Sequence, residues 1–190
     1  GDYSAWAPVK GRAQELLDTS IRLAAERGIE MRFLKYASMR FGAGDEAGRA
    51  VAEVVADVRP DVAFMLWHRD RHPDHEAAAA LSWKALRQPA AILGRDDVRA
   101  AGRIFAYDNG PGHTMGFEPT AFVNVTAEFA SALEWLGKLM AFVRGRSYEP
   151  GLPDPALNTK ETLARYRGMT CGVKYAEAVW ASGAYPTEIL

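Results

Sequence analysis

The first half of the chain alternates between helical and strand-like spacing of its hydrophobic residues. Apolar side chains recur every three or four positions over residues 11–27, and Gly28 follows where a left-handed residue commonly ends a helix. Over residues 29–34 apolar and charged side chains alternate, which predicts a strand with one buried face. A second helical stripe covers residues 47–58 and ends at an Arg-Pro dipeptide, and the apolar run 62–67 after it predicts a buried strand.

The second half continues this alternation with shorter signals. Pro73 fits the first turn of a helix, and the alanine-rich stretch after it has high helix propensity. Glycines and prolines over residues 108–119 predict a long loop, and long loops in compact domains are often functional. The spacing predicts helices over residues 76–86, 129–143 and 159–167 and strands over residues 104–107 and 121–125, while residues 173–179 fit either state.

This order of elements predicts the fold class. Because strands alternate with helices, we predict a single domain over residues 1–190 with a Rossmann-like three-layer α/β/α fold and a mostly parallel sheet. Ligands of such sheets bind beyond the carboxyl ends of the strands. Residues that could carry chemistry are therefore most informative where they follow a predicted strand.

Composition and charge exclude several classes of partner. The 23 basic residues are matched by 24 acidic ones, so the net charge of −1 creates no field that would attract nucleic acid or an anionic membrane. No apolar run approaches the roughly 20 residues that a membrane span needs. The single cysteine, Cys171, excludes an intramolecular disulfide and a cysteine-based zinc cluster, and we expect it to be buried as a small hydrophobic residue. We expect a cytoplasmic protein with no nucleic-acid or membrane partner. The sequence does not decide whether it forms a homo-oligomer.

Three of the four histidines fall within eight residues, directly after the most buried predicted strand. His72 and His75 are three positions apart, so at the start of a helix their rings can point the same way, and a neutral imidazole can ligate a metal ion. Asp70 and Asp74 are near enough in sequence to orient a ring, and a carboxylate on one ring nitrogen makes the other a better ligand. The spacing alone is also compatible with a solvated loop whose histidines bind no metal. We interpret His68 as structural or exposed.

The same segment resembles the second signature of the PIG-L/LmbE-like family, in which an RPD-strand is followed by D-x-H-P-D-H. Here the two parts read Arg59-Pro60-Asp61 and Asp70-Arg71-His72-Pro73-Asp74-His75. Residues 12–15 are similar to the family's R-x-x-E helix, and residues 167–178 resemble its common C-terminal segment. The resemblance therefore extends over nearly the whole chain.

The resemblance implies a metal-dependent N-deacetylase, an amidohydrolase that removes an acetyl group from an N-acetylglucosamine-type sugar, a related conjugate or another N-acyl amide. Zn²⁺ would be the cofactor, and such ligands also accept another divalent metal. Carried over by position, His75 would be a zinc ligand, His72 the general acid or oxyanion stabiliser, and Asp74 the carboxylate that orients His72. The family's other two ligands and its general base come from an N-terminal HPDDE-type motif that the printed sequence does not contain. We therefore expect the domain to lack an N-terminal strand-helix portion.

Three further residues are candidate substrate-binding groups. The resemblance assigns Arg12 to substrate contact, although its spacing fits a solvated helix charge equally well. Asp70 matches the family's motif and would contact substrate or arrange the loop. His113 follows another predicted strand end and could line the same opening, and an ordinary loop histidine is the other interpretation. An alternative function is a catalytically inactive carbohydrate-binding or assembly homologue, which would follow if the remaining metal ligands are naturally absent.

Overall fold

The computed structural model describes residues 7–185, and within that range the chain forms six α-helices and four β-strands. The helices are α1 (Ala13–Ala25), α2 (Asp45–Val58), α3 (Pro73–Arg87), α4 (Pro89–Leu93), α5 (Phe129–Val143) and α6 (Pro155–Cys171). The strands are β1 (Val62–Leu66), β2 (Arg103–Tyr107), β3 (Ala121–Asn124) and β4 (Ala176–Ala181). None of these helices is long and apolar enough to cross a membrane.

The strands form one sheet in the order β1-β2-β4-β3. β1 and β2 run parallel, with Phe64 opposite Phe105, and the chain between them crosses over through α3 and α4. β2 and β4 run antiparallel, with Tyr107 opposite Val179. A single sheet flanked by helices confirms the predicted Rossmann-like α/β fold.

The prediction of a mostly parallel sheet is wrong, because the sheet is mostly antiparallel. Parallel neighbours need a crossover connection, and in the described part of the chain the link from β1 to β2 is such a crossover. β4 instead follows α6 and enters between β2 and β3, running opposite to β2. Hydrophobic spacing gives the order of strands and helices, but it does not give the direction in which a strand joins the sheet.

Two local predictions also change. Residues 29–34 alternate as a strand should, yet they are irregular, and Ile29 is exposed. A strand needs a neighbour for its backbone hydrogen bonds, and alternation alone does not supply one. Residues 173–179, which fitted either state, contain the first part of β4.

Cys171 is exposed at the end of α6, so the expectation of a buried thiol is wrong.

The chain packs as two compact units. We call the first the helical unit, Gly1–Arg40 with Asn124–Ala176, and the second the sheet unit, Phe41–Val123 with Glu177–Leu190. In the helical unit α1 packs against α5, and α5 packs against α6. The aromatic rings of this unit contribute to its core, since Phe129 and Tyr175 stack with their centroids 3.9 Å apart.

The sheet unit has a core of small and branched apolar side chains. Met65 of β1 and Ile104 and Ala106 of β2 are buried in one cluster with side chains of α2 and α3. Burial of this apolar surface is the main stabilising contribution. It fixes the carboxyl end of β1 beside the start of α3, where residues 67–72, which we call the histidine-rich loop, connect them.

Candidate functional site

His72 begins α3 and its ring takes part in the helix cap. It has extended backbone angles, and Pro73 occupies the first helical position, where a missing N–H group costs nothing. The Nδ1 atom of His72 accepts a hydrogen bond from the backbone amide of Asp74 at 3.2 Å. Because Nδ1 is an acceptor there, the proton of the neutral ring lies on Nε2, which is the other nitrogen.

Asp70 is a buried carboxylate at the centre of the loop, with only 4% of its surface exposed. Its Oδ1 atom accepts a hydrogen bond from the backbone amide of His72 at 2.8 Å. The same oxygen lies 3.1 Å from Nδ1 of His75 and 3.7 Å from Nδ1 of His113. Burial opposes ionisation, but the hydrogen bonds from His72 and His75 and the nearby imidazoles together hold the pKa of Asp70 below its ordinary value. The carboxylate is therefore ionised at neutral pH.

Residues 108–117 form a loop that brings His113 to this carboxylate. Asp70 and Thr114 pair as an isolated antiparallel bridge. The amide of Arg71 donates to the carbonyl of His113 at 2.9 Å, and the amide of Met115 donates to the carbonyl of Arg69 at 3.0 Å. These backbone bonds align the two loop segments like a short hairpin, so the position of His113 is set by the fold of the sheet unit.

The three imidazole rings lie close together. His72 and His75 stack with centroids 4.6 Å apart, and the His75 and His113 centroids are 5.3 Å apart. Ligand atoms of Asp70, His75 and His113 all lie within 4.8 Å of one another. Ligands about 2.1 Å from a tetrahedral zinc ion lie about 3.4 Å apart, so the separations from Asp70 to the two imidazoles fit one shared cation. These residues could hold Zn²⁺ or another divalent metal.

Asp74 and His68 lie outside that group of ligand atoms. Asp74 is buried in the first turn of α3, and its backbone amide contacts His72. The Asp70 carboxylate is the one that lies next to the imidazoles of His75 and His113, and the orienting role of Asp74 stays a prediction. His68 is exposed, with its ring against Trp67.

Arg12 belongs to the helical unit, at the start of α1. Its guanidinium donates to the carbonyl of Phe142 at 3.5 Å, stacks over the Phe142 ring and pairs with Glu15. A cation beside the last carbonyls of α5 suits the helix dipole, which gives Arg12 a structural role. Its predicted contact with substrate stays a prediction.

Sequence reasoning missed one residue beside the histidines. The side-chain amide of Asn109 lies 3.1 Å from Nδ1 of His75. Asn109 stands in a glycine-rich loop, where asparagine is common for its turn-forming ability alone. The only signal in the sequence was its place two residues after a predicted strand end.

Neither a family model nor a curated protein sequence matches the chain. Among solved structures it is similar to a conserved protein of Thermus thermophilus, with 21% identity and a TM-score of 0.69 over 94% of this chain and 76% of that one. It is also similar to the 4-carboxy-2-hydroxymuconate hydratase of Pseudomonas putida, with 15% identity and a TM-score of 0.72 over 95% and 76% of the two chains. The third is the N,N'-diacetylchitobiose deacetylase of Pyrococcus horikoshii, with 19% identity and a TM-score of 0.61 over 89% and 62%. At these identities the likeness shows a shared Rossmann-like α/β fold.

Proposed function

We propose that the protein is a metal-dependent hydrolase that removes an acetyl group from an N-acetylglucosamine-type sugar or a related N-acyl amide. The observation that carries this proposal is the grouping of Asp70, His75 and His113 around a common point, next to His72 and beyond the carboxyl end of β1. Open α/β sheets bind their ligands at that position. The fold shared with a diacetylchitobiose deacetylase supports an N-acetylated sugar as the first substrate class to test.

The metal ligands in this proposal are Asp70, His75 and His113. A bound divalent cation would polarise the amide carbonyl and make a water molecule more acidic. The low exposure of Asp70 helps to keep its charge effective, because a buried carboxylate is less screened by water. Two imidazoles and one carboxylate would leave a coordination position open to water or substrate.

His72 acts in this proposal as a hydrogen-bond donor to the oxyanion that develops on the amide carbonyl. Its Nδ1 atom accepts from the Asp74 amide, so the neutral ring offers the Nε2–H group to a substrate. This geometry favours oxyanion stabilisation over the general-acid role, since a protonated ring would lose its hydrogen bond to Asp74. Removal of a single oxyanion donor typically lowers kcat by about 10²–10³-fold.

A hydratase is the second candidate function. The hydratase of Pseudomonas putida shares the fold with a TM-score of 0.72. Addition of water to a carbon–carbon double bond would use the same activated water and a hydrogen-bond donor. The site residues are therefore compatible with either reaction, and assays must separate them.

The decisive experiment is a substrate panel on the metal-loaded chain. Zn²⁺-loaded protein is incubated with N,N'-diacetylchitobiose, with N-acetylglucosamine and with 4-carboxy-2-hydroxymuconate. Acetate release, loss of the conjugated chromophore and, by calorimetric titration, sugar binding are measured. Acetate release that requires metal supports the deacetylase. Loss of the chromophore alone supports the hydratase, and sugar binding without turnover supports the inactive carbohydrate-binding homologue. Both of those outcomes overturn the primary proposal.

A further inference from the structure

We propose that the side-chain oxygen of Asn109 is a fourth donor to the cation held by Asp70, His75 and His113. This inference rests on the metal site of the proposed function and adds to it a ligand outside the histidine-rich loop. The four donors would form an N₂O₂ set of two imidazole nitrogens, one carboxylate oxygen and one amide oxygen, and a five-coordinate cation would keep one further position for water or substrate. All four residues belong to the sheet unit.

The argument begins with the distances at one nitrogen. Nδ1 of His75 lies 3.1 Å from Oδ1 of Asp70 and 3.1 Å from the terminal amide nitrogen of Asn109. Two donors that share a metal at about 2.1 Å lie about 3.4 Å apart, so both neighbours are at ligand spacing from His75. Asn109 is therefore as close to this proposed ligand nitrogen as the carboxylate is.

Hydrogen-bond chemistry at this nitrogen then decides the orientation of the amide. An imidazole nitrogen offers either one N–H group or one lone pair. The ionised carboxylate of Asp70 only accepts, whereas the NH₂ group of Asn109 only donates, so His75 cannot satisfy both at once. A half-turn of the amide exchanges its oxygen and nitrogen without changing its shape. After that turn, both oxygens face Nδ1 of His75. The ring N–H satisfies them when no metal is bound, and a cation that displaces this proton would bind all three atoms.

The backbone fixes Asn109 in this position. Its amide donates to the Thr114 hydroxyl at 2.7 Å, and Thr114 pairs with Asp70. The amides of His113 and Thr114 both donate to the carbonyl of Gly110, which has a φ of 86° that favours glycine. These contacts connect Asn109 and His113, the two proposed ligands of the loop, to the segment that carries Asp70.

The test compares an oxygen donor with a hydrogen-bond donor at the same position. Asn109→Asp keeps an oxygen but cannot donate, and Asn109→Leu keeps neither property. Asn158→Asp, at an exposed position of α6, is the matched control for the added charge. The full chain is titrated with Co²⁺, whose visible absorption depends on its donors, and then with competing Zn²⁺. Circular dichroism establishes that each variant is folded.

We expect Asn109→Leu to weaken Co²⁺ binding by about 10-fold or more and to change the Co²⁺ spectrum. Asn109→Asp should keep a similar spectrum and bind as tightly as the unmodified chain or more tightly, because it retains the oxygen and adds a negative charge.

If Asn109→Asp binds as weakly as Asn109→Leu, the residue acts by donating a hydrogen bond and the inference falls. The inference also falls if Asn109→Leu binds normally. Failure of the unmodified chain to bind Co²⁺ or Zn²⁺ would overturn the proposed function as well. If Asn109→Leu does not fold, the nearly isosteric Asn109→Asp still decides the question by its affinity.

Discussion

At the scale of single residues, the buried carboxylate of Asp70 connects the parts of the candidate site. It accepts from the His72 backbone and faces the nitrogens of His75 and His113. The motif in the sequence identified Asp70, His72 and His75 together, because they lie within six positions of one another. It could not establish the approach of His113, which depends on a bridge between Asp70 and Thr114, residues far apart in the chain.

The two histidines at the start of α3, His72 and His75, should respond differently to substitution. We expect His75→Ala to abolish or strongly weaken Zn²⁺ binding, because it removes a proposed ligand. His72→Ala should retain zinc and lose about 10²–10³-fold in kcat, since it removes the Nε2–H donor. Zinc content by mass spectrometry and turnover on the best substrate of the panel measure the two effects. His68→Ala, in the same loop, is the matched control and should change neither. Equal loss of zinc in His72→Ala and His75→Ala would contradict this division of roles.

Asp154 gives a prediction for stability against pH. It is buried, caps α6 through the Ala156 amide, and pairs with Arg144 and Arg146. The hydrogen bond from Arg144 is the main reason why the pKa of Asp154 lies below its ordinary value of 3.8, although burial opposes this shift. A lowered folded-state pKa means that the ionised carboxylate stabilises the fold above about pH 4 and loses this effect as the pH falls through the folded-state pKa.

Replacement of Asp154 by asparagine should therefore lower the free energy of unfolding by about 1–2 kcal/mol at pH 7, the guanidinium groups being partly screened by water. The difference from the unmodified chain should shrink below about pH 3.5. Asparagine can still cap the helix, so the effect reports the charge. Urea unfolding at several pH values measures it, and Asp96→Asn, at an exposed carboxylate, is the control. If the difference in unfolding free energy between the two chains does not vary with pH, the ion pairs of Asp154 do not stabilise the fold.

At the scale of secondary structure elements, the sequence was most informative where the chemistry of a single residue determines the start of an element. Pro73 correctly indicated the start of α3, since proline suits the first helical turn. It was least informative for residues 29–34 and for β4, because a strand exists only with a neighbour to which it can bond. The hydrophobic pattern describes one strand at a time and carries no information about that neighbour.

Two glycines inside helices should respond in opposite ways to alanine. A Cβ atom on Gly168 of α6 would lie 2.5 Å from the carbonyl oxygen of Val173 and 2.7 Å from that of Lys174. Backbone atoms cannot move aside cheaply, so Gly168→Ala should lower the free energy of unfolding by about 1–3 kcal/mol. On Gly48 of α2 the nearest atom would be a Leu81 methyl at 3.8 Å. Gly48→Ala should therefore raise stability by about 0.5–1 kcal/mol through helix propensity. Thermal or urea unfolding measures both, and stabilisation by Gly168→Ala would contradict the close contact.

At the scale of the whole molecule, the fold class was predictable and the sheet direction was not. Alternating helices and strands indicated the Rossmann-like α/β class, and the structural neighbours share it. The direction of β4 depends on how the chain returns to the sheet after α6, which local patterns do not encode. The candidate site was recognisable from its motif, and its complete set of neighbours required the folded loop at residues 108–117.

Metal binding should stabilise the sheet unit, which contains all of the proposed ligands. A cation that binds the folded chain and not the unfolded chain adds about 2.7 kcal/mol at a free concentration 100 times its Kd, which corresponds to an increase of about 5–10 °C in Tm. We expect Zn²⁺ to raise Tm and a chelator to reverse the increase. His75→Ala should show no such response. Calorimetry measures the transition, and an equal increase in Tm for His75→Ala would place the metal elsewhere.

The exposed thiol at the end of α6 has a practical consequence for such measurements. Cys171 is the single cysteine of the 190-residue sequence, and it lies on the surface of the helical unit. A maleimide dye or a nitroxide spin label would therefore attach at one defined position in every molecule. Three tryptophans of the sheet unit, Trp67, Trp83 and Trp180, give a second optical signal once Trp6 and Trp135, the other two tryptophans of the sequence, are replaced by phenylalanine. One labelled sample could thus report the melting of each unit at its own wavelength.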